Sequence, residues 1–126
     1  MAEPRARAVG IGGFFFRSKD TEALRAWYLE HLGVGWQETV PWFQAEGYTV
    51  FEPFTEETEY FAADRRWMIN FRVDDLPRLI AQLMAADIEV IEKEEWNSEV
   101  GRFARIHDPE GNPIELWEPV EPPAEE

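Results

Sequence analysis

The order strand, helix, three strands reads twice along this chain of 126 residues. That repeat constrains the fold more than any other feature. Phe16-Arg17 precedes Asp20 in the first half; Phe71-Arg72 precedes Asp74 or Asp75 about 55 residues later. These aspartates are good helix N-caps, because a carboxylate there accepts from the unbonded N–H groups of the first turn. After Asp20, Leu24, Trp27, Tyr28 and Leu32 recur at helical spacing up to Gly33, which suits a left-handed helix stop. In the second half Leu76, Leu79, Ile80, Leu83 and Met84 fall at i, i+3, i+4, i+7 and i+8, with Pro77 in the first turn. Asp87 then stands where Gly33 ends the first helix. A left-handed cap is open to it at a higher steric cost.

Strands flank both helices. Residues 9–16 (VGIGGFFF) read as a buried strand, with Gly12 and Gly13 marking a bulge or a close approach. Residues 35–39, 42–46 and 48–54 read as three short strands. In the second half 67–73, 88–92, 101–107 and 113–117 fill the same roles. The expectation is one α+β domain of two tandem βαβββ modules, whose curved mixed sheets enclose a cavity. The first module spans about 9–54 and the second about 67–118. Between them, 55–66 (TEETEYFAADRR) is acidic and aperiodic, either a solvated connector or a flap that brings Tyr60 and Phe61 over a pocket. Met1 to Ala8 reads as loose, and the Pro- and Glu-rich tail, 119–126, as disordered.

The last two strands form the most legible hairpin. Asp108-Pro109-Glu110-Gly111-Asn112 is turn chemistry: proline presets φ, and glycine and asparagine tolerate φ > 0. Pro113 opens the second strand, where its missing N–H does least harm. Glu115 then points away from Ile114 and Leu116. A carboxylate within a short apolar strand marks either an exposed sheet face or a cavity, because burying an unpaired charge is costly.

Asp-Pro-Glu-Gly-Asn-Pro-Ile-Glu-Leu-Trp (residues 108–117) resembles the closing hairpin of the vicinal-oxygen-chelate superfamily. That superfamily includes glyoxalase I, bleomycin-resistance proteins and extradiol dioxygenases. Residues 16–33 likewise resemble its first strand running into its first helix, and with 67–90 the likeness spans nearly the whole chain. In the superfamily's metal-dependent members the ligand positions correspond by resemblance to Gly13, Glu52, Met68 and Glu115. Two carboxylates stand there, but both histidines are absent. No His, Asp or Glu occurs anywhere in 9–16 or 67–73. Two carboxylates alone suit Zn²⁺, Ni²⁺ or Fe²⁺ poorly, so no metal cofactor is expected. A hard divalent cation is the alternative. His31 falls in the last turn of the first helix, where its charge suits the helix dipole, and His107 is placed to bond the adjoining turn.

Strand alternation puts a group of side chains on one face with Glu115. It comprises Trp117, Phe103, Arg105, Met68 and Asn70, with Gly13, Phe15 and Glu52 from the first module. These residues either line a ligand bowl or simply fill the space between modules. The leading expectation is a metal-independent binder of a small organic molecule in an aromatic, acidic bowl. The alternative is a glyoxalase-type or dioxygenase-type metalloenzyme with altered ligands. An enzyme of this kind would be a lyase or isomerase with Glu115 or Glu52 as general base.

Composition narrows the partners. Twelve basic residues against 26 acidic leave a net charge of −14, which argues against nucleic-acid and anionic-membrane binding and favours cationic ligands. With no cysteine, thiolate chemistry and zinc–sulfur sites are excluded. Neither a membrane-length apolar run nor a signal-type stretch is present, so a cytoplasmic location is expected. Apolar strand edges that need covering, together with Trp36, Trp42 and Trp96, point to a homodimer.

Overall fold

The computed structural model describes residues 5–120. Two helices pack on one side of an open mixed sheet. Helix α1 is Thr21–Leu32 and helix α2 is Leu76–Ala85; the strands are β1 (Ile69–Arg72), β2 (Gly101–His107) and β3 (Pro113–Pro119). The sheet order is β1-β3-β2, with β1 and β3 parallel and β2 and β3 antiparallel. The parallel pair needs a crossover, and α2 lies within it. Residues 88–92 touch the far edge through one bridge, Ile91 to Arg105, so this expected strand docks without forming a ladder.

Both helices start and stop where the sequence predicts. The Asp20 carboxylate accepts from Ala23 N at 3.1 Å and that of Asp75 from Arg78 N at 3.2 Å. Gly33, at φ 69°, closes α1 by donating to Leu29 O, and Val34 donates to Tyr28 O. Asp87 adopts φ 63° after α2. The core joins Leu24 and Tyr28 of α1, Leu76, Ile80 and Leu83 of α2, and Phe71, Ala104, Ile106, Ile114 and Leu116 of the sheet. Leu79 of the expected stripe is half-buried, and Met84 is exposed. Strand β3 runs two residues past its expected end. Gly101 begins β2 at φ 141°, where any Cβ would collide with the carbonyl of Glu118. Met1 to Pro4 and residues 121–126 lie outside the described residues, and with them most of the expected tail.

The half expected to form a first module contributes no strand to the sheet among the described residues. Residues 9–16, 42–46 and 48–54 form no ladder among the described residues, and 35–39 contributes only the Gln37–Val40 bridge. Most side chains there are exposed, Val9 at 87%, Phe15 at 92% and Phe51 at 88%, whereas Phe16 is half-buried against the core. A strand is defined by its neighbour's backbone, and the described chain supplies these segments with none.

Candidate functional site

Alternation along the strands sorts their side chains into two layers. Ile114, Leu116, Ala104, Ile106 and Phe71 face the helices. Glu115, Trp117, Phe103, Arg105 and Asn70 take the opposite face with Arg72, whereas Gly13, Phe15 and Glu52, expected with them, belong to no strand of this sheet. Register then makes a row across it: Asn70 lies opposite Glu115 on one side, and Arg105 lies opposite Glu115 on the other. One step along, Phe103 lies opposite Trp117, and their rings stack in parallel with centroids 6.0 Å apart. The Trp117 indole is held by donating to Val100 O at 2.9 Å.

Glu115 is 7% exposed and accepts two hydrogen bonds. Asn70 Nδ2 donates to Oε1 at 2.7 Å, and the Tyr60 hydroxyl donates to Oε2. Tyr60 comes from the acidic connector, so that segment reaches over the sheet as the flap reading requires. Phe61 packs with Phe54 beside it instead of on the row. Burial, and then the bond to Glu115, push the Tyr60 phenol up to about 12, against the opposing charge of Arg105. The folded state therefore favours neutral Tyr60. Its contribution to stability is complete below the ordinary tyrosine pKa of 10.0 and lost as pH rises through about 12. Tyr28 shifts the same way, through burial and its bond to Asp108. An absorbance titration should accordingly show two late phenols in the wild type and one in Tyr60→Phe.

Arg105, expected on this face from strand alternation, lies opposite Glu115. The residue is 6% exposed, and its guanidinium carbon lies 4.9 Å from the Tyr60 ring centroid and 5.4 Å from that of Trp96. Trp96 ends a single 3₁₀ turn, Glu94–Trp96, and meets Tyr60 edge-on at 5.9 Å. Among the described residues no carboxylate comes within 4.0 Å of Arg105, and its Nε and Nη2 are buried without a hydrogen-bond partner.

The remaining expected site residues are not gathered here. Phe15 is exposed and lies against Gly13, Glu52 is exposed, and Met68 is half-buried just ahead of β1. No hydrogen bond joins Glu52 to Glu115 among the described residues. A groove of about 490 Å³ does exist, but it lies between α2 and the start of β2, lined by residues including Leu76, Ile80, Asn97 and Phe103. Sequence reasoning left Tyr60 on a connector and Trp96 on an unassigned segment. The signal available for them was aromatic character within acidic stretches.

A metal fits this face poorly. Glycine and a thioether stand at two of the four positions implied by the resemblance, and Glu115 already satisfies two donors beside a guanidinium, whose charge repels a cation. Among the described residues no three His, Asp or Glu side chains assemble as a metal-binding group. His31 is half-buried against Trp27 and Glu30. His107 does not bond the turn as expected; burial, then the nearby Arg105, lower its pKa.

Asp108 holds the turn instead. Its Oδ1 accepts from Glu110 N and Asn112 N at 2.9 and 3.0 Å, and its Oδ2 from Asn112 Nδ2 and the Tyr28 hydroxyl, both at 2.7 Å. Glu110 in turn accepts from Ser18 Oγ and from the N–H groups of Lys19 and Asp20 at the head of α1, which lower its pKa. The turn therefore locks the first helix to the second module's hairpin.

Comparison with known proteins agrees with this architecture. The family model described as the Glyoxalase/Bleomycin resistance protein/Dioxygenase superfamily matches residues 10–116. Among solved structures the fold is similar to TnmS3, an antibiotic binding protein from Streptomyces sp. CB03234. That likeness has a TM-score of 0.51 and 20% identity, and covers 81% of this chain and 88% of that one. No curated protein matches. With a match that takes in both helices and the paired strands, the chain belongs to the Glyoxalase/Bleomycin resistance protein/Dioxygenase superfamily.

Proposed function

We propose that this protein binds a small organic molecule, without a metal, on the sheet face that carries Asn70, Glu115 and Arg105. One observation carries the reading. Three polar side chains stand in register across three strands, roofed by Tyr60 and Trp96 and flanked by the Phe103–Trp117 stack. Apolar walls around a few oriented polar groups are the usual composition of a small-molecule site. The antibiotic-binding description of TnmS3 supports the same function on the same fold.

The bowl is completed by a second copy of the chain. Residues 9–16 and 42–54 carry exposed apolar side chains on backbone that joins no sheet among the described residues, and unpaired apolar segments pair with another chain unless they are blocked. In this reading the two βαβββ modules close their sheets across a homodimer, and Gly13, Phe15 and Glu52 reach the bowl only there. Among the described residues no helix is long and apolar enough to cross a membrane.

Three measurements on one preparation made without chelator test the proposal. A thermal-shift screen of aromatic compounds should find stabilising ligands whose effect is lost in Trp117→Ala. Elemental analysis should show no stoichiometric transition metal, and sedimentation should show a dimer at micromolar concentration. Tightly held nickel or zinc, or ligands indifferent to Trp117, would count against the metal-free bowl; a monomer would count against the dimer.

A further inference from the structure

We propose that Arg105 is the anchor for a carboxylate on the ligand, so that the bowl takes planar aromatic acids in preference to cations. The inference rests on the small-molecule reading above and names the class of ligand. Its starting point is which atoms of Arg105 lack partners. Nε and Nη2 are buried and unbonded among the described residues, and they are the two donors on one edge of the guanidinium. That edge presents two parallel N–H groups at the spacing of the two oxygens of a carboxylate, which makes the bidentate side-on pair. A buried guanidinium with that edge unbonded is a costly arrangement, and an arriving anion would offset the cost.

The protein's own carboxylates do not fill the role. Glu115, the cross-strand neighbour, is turned to Asn70 and Tyr60 instead. The other charged group on this face, Arg72, donates to the carbonyls of Ala45 and Glu46 and adds positive charge. Lys93 lies over the outer side of Trp96, 5.2 Å from its ring centroid. On this face there are two guanidinium groups, Arg105 and Arg72, to one carboxylate, Glu115, while the connector and the 3₁₀ turn around it are acidic.

The rest of the acid is read by the surrounding rings. Tyr60 and Trp96 cover Arg105 and come from loops, the connector and the 3₁₀ turn. A ligand reaches the unbonded edge by parting these two rings. Its own ring then takes up the cation–π contact and extends toward the Phe103–Trp117 stack, two residues along both strands. Glu115 faces the same space with its charge and disfavours a second anionic group, so the ligand is a monoacid.

The test titrates the full-length protein, by tryptophan fluorescence, with three probes of one shape: 2-naphthoate, 2-naphthamide and 2-naphthylmethylammonium. The naphthoate should bind about tenfold or more tighter than either of the others, as expected of charge-assisted bonds to a desolvated partner. Arg105→Met should remove that preference, and Arg105→Lys, which keeps the charge and loses the fork, should restore it only in part. Circular dichroism checks that both variants fold; if either does not, the wild-type ranking of the three probes decides alone. An amide or ammonium that binds as tightly as the carboxylate, or a preference that survives in folded Arg105→Met, overturns the assignment of Arg105 and leaves the bowl standing. If none of the three binds at millimolar concentration, this assignment and the bowl fall together.

Discussion

Asp108→Ala is expected to lower the stability of the protein by about 3–5 kcal/mol, since each buried donor left without an acceptor costs about 1–3 kcal/mol. The Asp108 side chain accepts four hydrogen bonds while only 4% exposed. Alanine strands the Tyr28 hydroxyl and both Asn112 donors in the interior together. The loss is more than local, because the turn that Asp108 shapes also presents Glu110 to the head of α1. Urea denaturation of the two proteins measures the difference. Tyr28→Phe should cost much less, as it leaves Asp108 with three donors. In the double variant the two effects should fail to add, since both remove the Tyr28–Asp108 bond. A loss below about 1 kcal/mol for Asp108→Ala would place it among ordinary surface substitutions and contradict the account of the turn.

Glu115→Gln should destabilise the protein by about 1–2 kcal/mol, the size of one hydrogen bond to a charged acceptor after partial rehydration. Burial alone argues for the other sign, because glutamine spares the fold an interior charge. The two donors reverse it. A carboxylate accepts from Tyr60 and Asn70 at once, whereas an amide accepts through its one oxygen and turns an NH₂ toward the second donor. Tyr60→Phe should relieve much of the loss in a double-mutant cycle, which also fixes how firmly the connector is tied to the sheet. A Glu115→Gln protein as stable as wild type would mean that the Tyr60 hydroxyl turns to accept from the amide NH₂ while Asn70 keeps its bond.

The hairpin and helices are legible in the sequence because each depends on residues a few positions apart. Asp20, Asp75 and Gly33 act on backbone groups within one helical turn. Residues 108–112 carry their own turn chemistry. Period-two alternation is a property of the strand itself, so Asn70, Phe103, Arg105, Glu115 and Trp117 can be assigned to one face without knowing the register. The family resemblance extends the same local signals to a fold.

Contacts between distant segments are a different matter. That Glu115 is satisfied by Tyr60, 55 residues away, depends on where an aperiodic connector comes to rest. That Arg105 lies against both Tyr60 and Trp96 with one edge unbonded depends on three segments meeting. His107 suggests itself as the turn's partner by adjacency, yet Asp108 and Tyr28, 80 residues apart, hold it. What the sequence by itself determined was the set of helices, the closing hairpin and the membership of the polar face, because helix caps, turn residues and strand alternation act over a few residues. Only the tertiary structure decided which charges on that face are satisfied and which first-module strands stay unpaired, because both depend on where distant backbone and side chains converge.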